Sequence, residues 1–271
     1  ILLLTGSVAG VSWFQGTGTA AVIQLSGTIK PASGGLTSSG ITPEQVRELT
    51  SRALSKNPEA IIYEINSGGG AVVASKEVMR TIESVEKPTI CRIRDIGASG
   101  AYLASLGCDR IVADSASLTG SIGVKASYLE FSGLLDRFGV EYVNLTAGKY
   151  KDIGSRYQNI TGREKRILQD MIDQVHSQFV SIVDRQRNLT GQEVEKVSTG
   201  RAFLGSRAKQ LGLVDRLGGR KAAVEAAENL TGRELKVVEV ESTPGFSLLS
   251  LLTSSISFDL GIDAPLLSSY R

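Results

Sequence analysis

Apolar and polar positions along the chain switch repeatedly between a period of two and a period near 3.6. From Ala20 the run AAVIQLSGTI is rich in strand formers and broken by a Ser-Gly turn. Thr42 followed by Pro43 opens a helical pattern to about Lys56, a cap with proline in the first turn. AIIYEI (Ala60 to Ile65) is continuously apolar and reads as a buried strand, followed by the glycine turn Asn66 to Gly70 and a helix from Val72 to Val85. TICRIR (Thr89 to Arg94) predicts the next strand, then a short helix ends at Leu106 and RIVAD (Arg110 to Asp114) predicts another strand. Ser117 to Val124 reads as a glycine-punctuated loop, Tyr128 to Phe138 as a helix closed by Gly139, VEYVNL (Val140 to Leu145) as a strand, and polar Ala147 to Gln158 as a loop. Thr161 and Glu164 form a capping box for a long amphipathic helix to Arg187. Short helices follow at Gln192 to Val197 and Ser206 to Leu211, then a helix from Arg220 to Leu230 and a strand from Leu235 to Val240. Strand, turn and helix recur at about 25 to 35 residues, which predicts an α/β fold around a mostly parallel sheet.

The two ends differ from this pattern. Ile1 to Phe14 is uncharged, mostly apolar and ends in Trp13 and Phe14, a pair suited to a membrane interface. Alone it is shorter than the roughly 20 residues a bilayer span needs. It reads as the trailing end of an N-terminal membrane anchor, joined by the linker Gln15 to Thr19. The predicted organisation is an anchor remnant and linker at 1–19, a folded domain at 20–241 and an apolar, serine-rich tail at 242–271. The expected placement is a single-pass protein of the cell membrane with its folded domain on the extracytoplasmic side. Four N-x-Thr sequons, at Asn144, Asn159, Asn188 and Asn229, are compatible with that side, although their threonines also suit caps and turns. Pro31 to Gly40 is a Gly/Ser-rich loop.

Composition narrows the chemistry. The 271 residues are 41% hydrophobic, enough for a sizeable core, and 30 basic against 28 acidic residues leave a formal charge of +2. That balance makes no electrostatic case for nucleic acid. Two cysteines, Cys91 and Cys108, and one histidine, His176, supply neither a disulfide framework nor a metal cluster, and no cofactor is implied. His176 lies inside the long helix among Met171, Ile172, Val175, Phe179 and Val180, a poor place for the base of a Ser/His/Asp triad.

The candidate chemistry centres on DIGASGAYLASLG (Asp95 to Gly107), where Ser99 sits between a strand and a short helix with Gly97 and Gly100 beside it. A serine there can be a helix cap, or a nucleophile presented on a tight turn beside N–H groups that steady an oxyanion. Two further glycine-bearing loops also follow strands, INSGGG (Ile65 to Gly70) and TGSIGV (Thr119 to Val124), and AGKYKD carries lysines. In open α/β sheets such loops gather beyond the strand C-termini. Ala101 breaks the GxSxG pattern of an α/β-hydrolase.

INSGGG, ASGAY, TGSIGV, KYKDIGS and GRAFLGSRAKQLGLVDRLGG (Gly200 to Gly219), in this order, resemble the signal peptide peptidase A family, serine proteases of the ClpP/crotonase superfamily. The resemblance covers roughly Ala20 to Val240. It implies ClpP/crotonase-like repeated ββα units around a mostly parallel sheet, with a helical C-terminal part for oligomerisation. It implies Ser99 as nucleophile, Lys151 as general base with Lys149 close by, and Ser121 as the residue that orients the lysine amine. The backbone N–H groups of Gly69 and Gly100 match the oxyanion hole. Hydrophobic peptides such as released signal peptides are the implied substrates. A ring or dome homo-oligomer is implied too, with serine and lysine contributed by neighbouring subunits.

This chemistry is coherent on its own terms. A serine hydroxyl needs a neighbour to take its proton, and lysine does so near neutrality when burial lowers its pKa from about 10.4 to roughly 7 or 8. Val72, Val73 and Ile122 are the apolar residues expected to roof the site and meet the substrate. Gly68 stands where the family has proline, which loosens the loop, and Ala101 where it has glycine. Two other readings share the fold, a crotonase-type acyl-CoA enzyme, for which no catalytic glutamate is evident, and an inactive assembly scaffold.

Overall fold

A computed structural model describes residues 16–31 and 40–241. The elements run β1 (Thr17–Ser26), α1 (Pro43–Ser55), β2 (Ala60–Ser67), α2 (Val72–Glu83), β3 (Thr89–Ala98), α3 (Gly100–Ser105), β4 (Arg110–Ala113) and β5 (Leu118–Gly120). They continue as α4 (Ser132–Arg137), α5 (Gly162–Arg187), α6 (Gly191–Val197), β6 (Ala202–Leu204), α7 (Gly205–Gln210), β7 (Arg216–Leu217), α8 (Arg220–Thr231) and β8 (Glu234–Val240). The sheet order is β6-β5-β3-β2-β1-β8, with β4 on β3 and β7 on β4. Every pairing is parallel except β5 with β6.

Strand side chains alternate between two cores, as a sheet covered on both faces requires. Ala21, Ile23, Ile61, Tyr63, Ile65, Cys91 and Ile93 share one core with α1, α2, α3 and α5. Ala20, Val22, Ala60, Ile62, Ile90 and Val112 share the other with Ala223, Ala226 and Ala227 of α8. On the α8 face the alternation also places Glu64, 1% exposed. Burial would push its carboxyl up, but hydrogen bonds and charge from Arg220 and Arg92 outweigh that and hold it below the usual range.

The strand that carries the site is bent. β2 and β3 keep register from Ile61 and Thr89 to Ile65 and Ile93, then slip, so that Ser67 pairs with Gly97. The surplus residues on β3 form an irregularity closed by Asn66, whose amide oxygen accepts from the Ile96 N–H at 3.2 Å and whose amide nitrogen donates to Asp95 at 3.2 Å. Before it β3 pairs with β4; beyond it, Ile96 to Ala98 pair with β5. The loop leaving β2 then crosses the end of β3. A Cβ on Gly69, whose φ is +99°, would lie 2.6 Å from the Gly100 nitrogen and 3.0 Å from the Ser99 Cβ. A Cβ on Gly100 would meet the Ser75 hydroxyl at 2.3 Å. Gly68, where the family has proline, lies outside the left-handed region, and a Cβ there would touch only Ile96 at 3.7 Å.

Most predicted elements form, with instructive differences. Thr42 and Thr161 cap their helices through their side chains, and Asn188 ends α5 in the left-handed conformation, so sequon residues do serve as caps. Thr17 to Thr19, expected in a linker, belong to β1 and pair with Glu234 to Lys236. The start of the expected Ser117–Val124 loop forms β5, and only Ser132–Arg137 of the predicted helix 128–138 is helical, ahead of Gly139 at φ +64°. Val140 to Leu145 is not a strand: no described strand pairs with it, and Leu145 is 94% exposed. The expected single-pass anchor and extracytoplasmic placement are not supported. Among the described residues no helix is long and apolar enough to cross a membrane, and residues 1–15 and the tail from 242 lie outside the described part.

The long helix α5 is tied down at its C-terminal end. Arg187 donates to both carboxylate oxygens of Asp215, at 3.0 and 2.7 Å, and to the Gly212 carbonyl at 2.8 Å. Asp215 also accepts the Ile111 N–H of β4 at 2.7 Å. Burial would raise its carboxyl, but the Arg187 hydrogen bonds and charge hold it below the ordinary value. Asp215→Asn should therefore lower the unfolding free energy at pH 7 by about 2–4 kcal/mol, measured by urea denaturation. Because the folded carboxyl titrates below the unfolded one, this stabilisation is full above about pH 4 and disappears as pH falls through the folded value, so wild type and variant converge in acid. In the loop after β2, adjacent alanine substitutions should have opposite signs. Gly68→Ala should stabilise by about 0.5 kcal/mol, while Gly69→Ala should destabilise by roughly 2 kcal/mol or more, compared by thermal denaturation.

Candidate active site

Ser99 stands at the end of β3 with φ 54° and ψ −123°, a backbone conformation that side-chain-bearing residues seldom adopt. The surrounding hydrogen bonds hold it there: its N–H donates to the Gly120 carbonyl at 2.8 Å and its carbonyl accepts from Leu103 at 2.9 Å. Its hydroxyl makes no capping bond to α3, so the side chain is not spent as a helix cap. It opens instead onto a cavity of about 300 Å³. Val72, Leu103, Val124, Val175 and Phe179 give that cavity apolar walls, and Gly70 and Gly100 bring backbone to its edge.

The amides near Ser99 differ from the expected pair. The Gly69 N–H donates to the Ser67 hydroxyl at 3.1 Å, and Gly69 does not line the cavity. Gly70 does line it, and its N–H has no partner among the described residues, because the bridge to Ile29 uses the Gly69 carbonyl and the Ala71 N–H instead. A Cβ on Gly100 would lie 3.1 Å from the Gly70 nitrogen, so the two amides are immediate neighbours. The geometry thus sets Gly70 and Gly100 at the cavity edge and turns the Gly69 N–H away to Ser67.

The apolar residues are also redistributed. Val72 lines the cavity as expected, but Val73, one position further round α2, is 66% exposed and does not. Ile122 is fully buried in the core; Gly123, Val124 and Lys125 line the cavity in its place. Ser121 follows Gly120, the acceptor of the Ser99 N–H, and has φ 51°. Its N–H donates to Arg201 at 2.9 Å and its hydroxyl to the Gly200 carbonyl at 3.2 Å, leaving that oxygen able to accept a further bond. His176 donates Nε2–H to the Ile122 carbonyl at 3.3 Å and lies outside the cavity, which makes it a clamp between α5 and the 121–124 segment.

Lys151 is not at the cavity within one protomer. It is exposed, in a series of turns closed by the Lys151 N–H on Gly148 at 3.1 Å and the Ile153 N–H on Tyr150 at 3.3 Å. Its ammonium has no partner among the described residues, whereas that of Lys149 sits 5.5 Å from the centre of the Tyr150 ring. Two lysines that the motif reading passed over, Lys76 and Lys125, do line the cavity. Lys76 lies one helical turn beyond Val72, so α2 periodicity could have pointed to it. Lys125 directly follows TGSIGV. Gly70, Leu103, Val175 and Phe179 come together only through the packing of α3 and α5.

Comparison with known proteins places the chain in a family. Peptidase family S49 matches residues 82–234. A Methanocaldococcus jannaschii protein named as a protease is 34% identical over 75% of this chain and 67% of its own length. The chloroplastic serine protease SPPA of Arabidopsis thaliana is 29% identical over 91% of this chain, which spans 38% of that longer protein. Among solved structures, a membrane-bound stomatin-specific protease in complex with a substrate peptide superposes with TM-score 0.55 over 88% of this chain and 99% of its own, at 13% identity, a likeness of fold. Family membership decides against the acyl-CoA reading of the shared ClpP/crotonase-like fold. The chain belongs to peptidase family S49, the family of signal peptide peptidase A and protease 4, and is a serine-type peptidase.

Proposed function

We propose that the protein is an endopeptidase for hydrophobic peptides, released signal peptides among them, in which Ser99 is the nucleophile and Lys151 of a second copy is the general base. The observation that carries this reading is a Ser99 hydroxyl with no partner among the described residues, on a left-handed turn, at an apolar cavity edged by the amides of Gly70 and Gly100, which likewise have no partner among the described residues. A peptide carbonyl enters beside Ser99 with a neighbouring apolar side chain among Val72, Leu103, Val124, Val175 and Phe179. The hydroxyl oxygen attacks the carbonyl carbon while the Lys151 amine takes its proton, and the two amides hold the developing oxyanion. Collapse expels the amine product, which takes that proton from Lys151. Water then attacks the Ser99 ester, Lys151 accepting its proton, and collapse releases the acid product while Lys151 returns that proton to the Ser99 oxygen. Ser121 accepts a hydrogen bond from the lysine and keeps it aimed.

A lysine acts as base near neutrality when it is withdrawn from water, and Lys151 is exposed in one protomer. Its surroundings favour burial by a second copy. The segment leading to it exposes Leu129, Phe138 (73%), Val143 and Leu145, an apolar stretch of the kind that marks a protein interface. We therefore read the active form as a homo-oligomer whose sites are shared between subunits.

Ser99→Ala and Lys151→Ala should each reduce cleavage of a quenched hydrophobic peptide by about 10³-fold or more. Mixed in equal amounts, dissociated and reassembled, the two inactive proteins should regain activity, because about a quarter of randomly paired sites then combine an intact serine with an intact lysine. No recovery on mixing, despite confirmed co-assembly, would place the base in the same protomer as Ser99.

A further inference from the structure

The cavity at Ser99 has apolar walls but not a neutral charge. Among the described residues its only charged lining residues are Lys76 and Lys125, and no described carboxylate lines it. Neither ammonium has an ion-pair partner among the described residues; that of Lys76 is held by the neutral amide oxygen of Gln178 on α5 at 2.6 Å. Lys76 stands on α2 at the boundary where the cavity meets a groove between α2 and α5 of about 1000 Å³. That groove is lined by Arg80 and Arg185 and by Glu83 and Asp184, so charges of both signs are present there, whereas the described lining of the cavity has one sign only.

We propose that Lys76 and Lys125 are specificity-determining residues that make the Ser99 cavity select by charge, excluding substrate side chains with a basic tip and favouring apolar or carboxylate-tipped ones. The inference rests on the peptidase reading and adds a charge rule to its apolar one. Two fixed cations beside a low-dielectric wall repel a lysine or arginine entering the cavity and attract a glutamate whose methylenes lie along Val72 and Phe179. Lys76 is half-buried and Lys125 exposed, so the preference is moderate and weakens with salt.

The test uses one apolar peptide series differing at a single residue beside the scissile bond, Leu, Glu or Lys. Binding to the Ser99→Ala protein is read by fluorescence anisotropy, and cleavage by wild type is read by mass spectrometry. The Glu peptide should be bound and cleaved about five- to tenfold better than the Lys peptide at low ionic strength, and the gap should shrink in 0.5 M salt, as expected for partly exposed charges. Lys76→Gln with Lys125→Gln should level the two peptides, and Lys76→Glu with Lys125→Glu should reverse their order. Equal binding of Glu and Lys peptides at low salt, or a ratio the double variants leave unchanged, overturns the inference. Charge-selective binding to the Ser99→Ala protein with no cleavage by wild type would instead support the charge rule and overturn the proposed cleavage of hydrophobic peptides at Ser99.

Discussion

The site depends on one close passage of backbone past backbone. The loop leaving β2 crosses the end of β3 at a separation that admits no Cβ on Gly69, and Ser75 of α2 leaves none for Gly100. That contact brings the Gly70 amide beside the Gly100 amide and sets both next to Ser99. It demands glycine for steric reasons at two places and a left-handed backbone at Gly69 and Ser99. Strain at Ser99 is tolerated because its N–H is bonded to Gly120 and its carbonyl to Leu103, so the alternative conformations would each forfeit a buried bond.

The passage is possible because β3 changes neighbours partway along. Its first half is a central parallel strand between β2 and β4, and its last three residues pair with β5. Asn66 stabilises the change of register by accepting from the Ile96 N–H that the ladder leaves open and donating to Asp95. Polar clamps hold the layers on either side. Glu64 with Arg92 and Arg220 ties two strands to α8, and Arg187 with Asp215 ties α5 to β4. Partnered in this way, the buried Glu64 carboxylate keeps its charge in the sheet's interior, and removing either arginine would leave part of that charge uncompensated.

Within one chain the candidate nucleophile Ser99, its candidate oxyanion donors and the apolar cavity are assembled, and the proposed base Lys151 is exposed away from that cavity. Under the proposed sharing of the site, the serine lacks a proton acceptor until subunits meet, and proteolysis by the isolated chain would be restrained. The two lysines at the cavity add a different layer, since they act on the substrate's charge and not on the serine's proton.

Much of the architecture was legible locally. The succession of the longer strands and helices, the capping residues Thr42 and Thr161 and the candidacy of Ser99 follow from period, cap chemistry and motif. Val140 to Leu145 shows the limit, because its alternation suits a strand but no described neighbour offers a ladder. Strands as short as β6 and β7 carry no period of their own and exist only through β5 and β4. In the same way three consecutive glycines cannot reveal which amide faces the site; the Ser67 hydroxyl takes the Gly69 N–H and leaves that of Gly70. The periodicity by itself determined an α/β fold around a mostly parallel sheet, and the ordered motifs, through the family they resemble, a ClpP-like serine peptidase with Ser99 as its candidate nucleophile. The tertiary structure decided which glycine N–H, which apolar walls and which lysines surround that serine, because those neighbours are set by the crossing of β2 and β3 loops and the packing of α2 and α5, contacts between residues far apart in the chain.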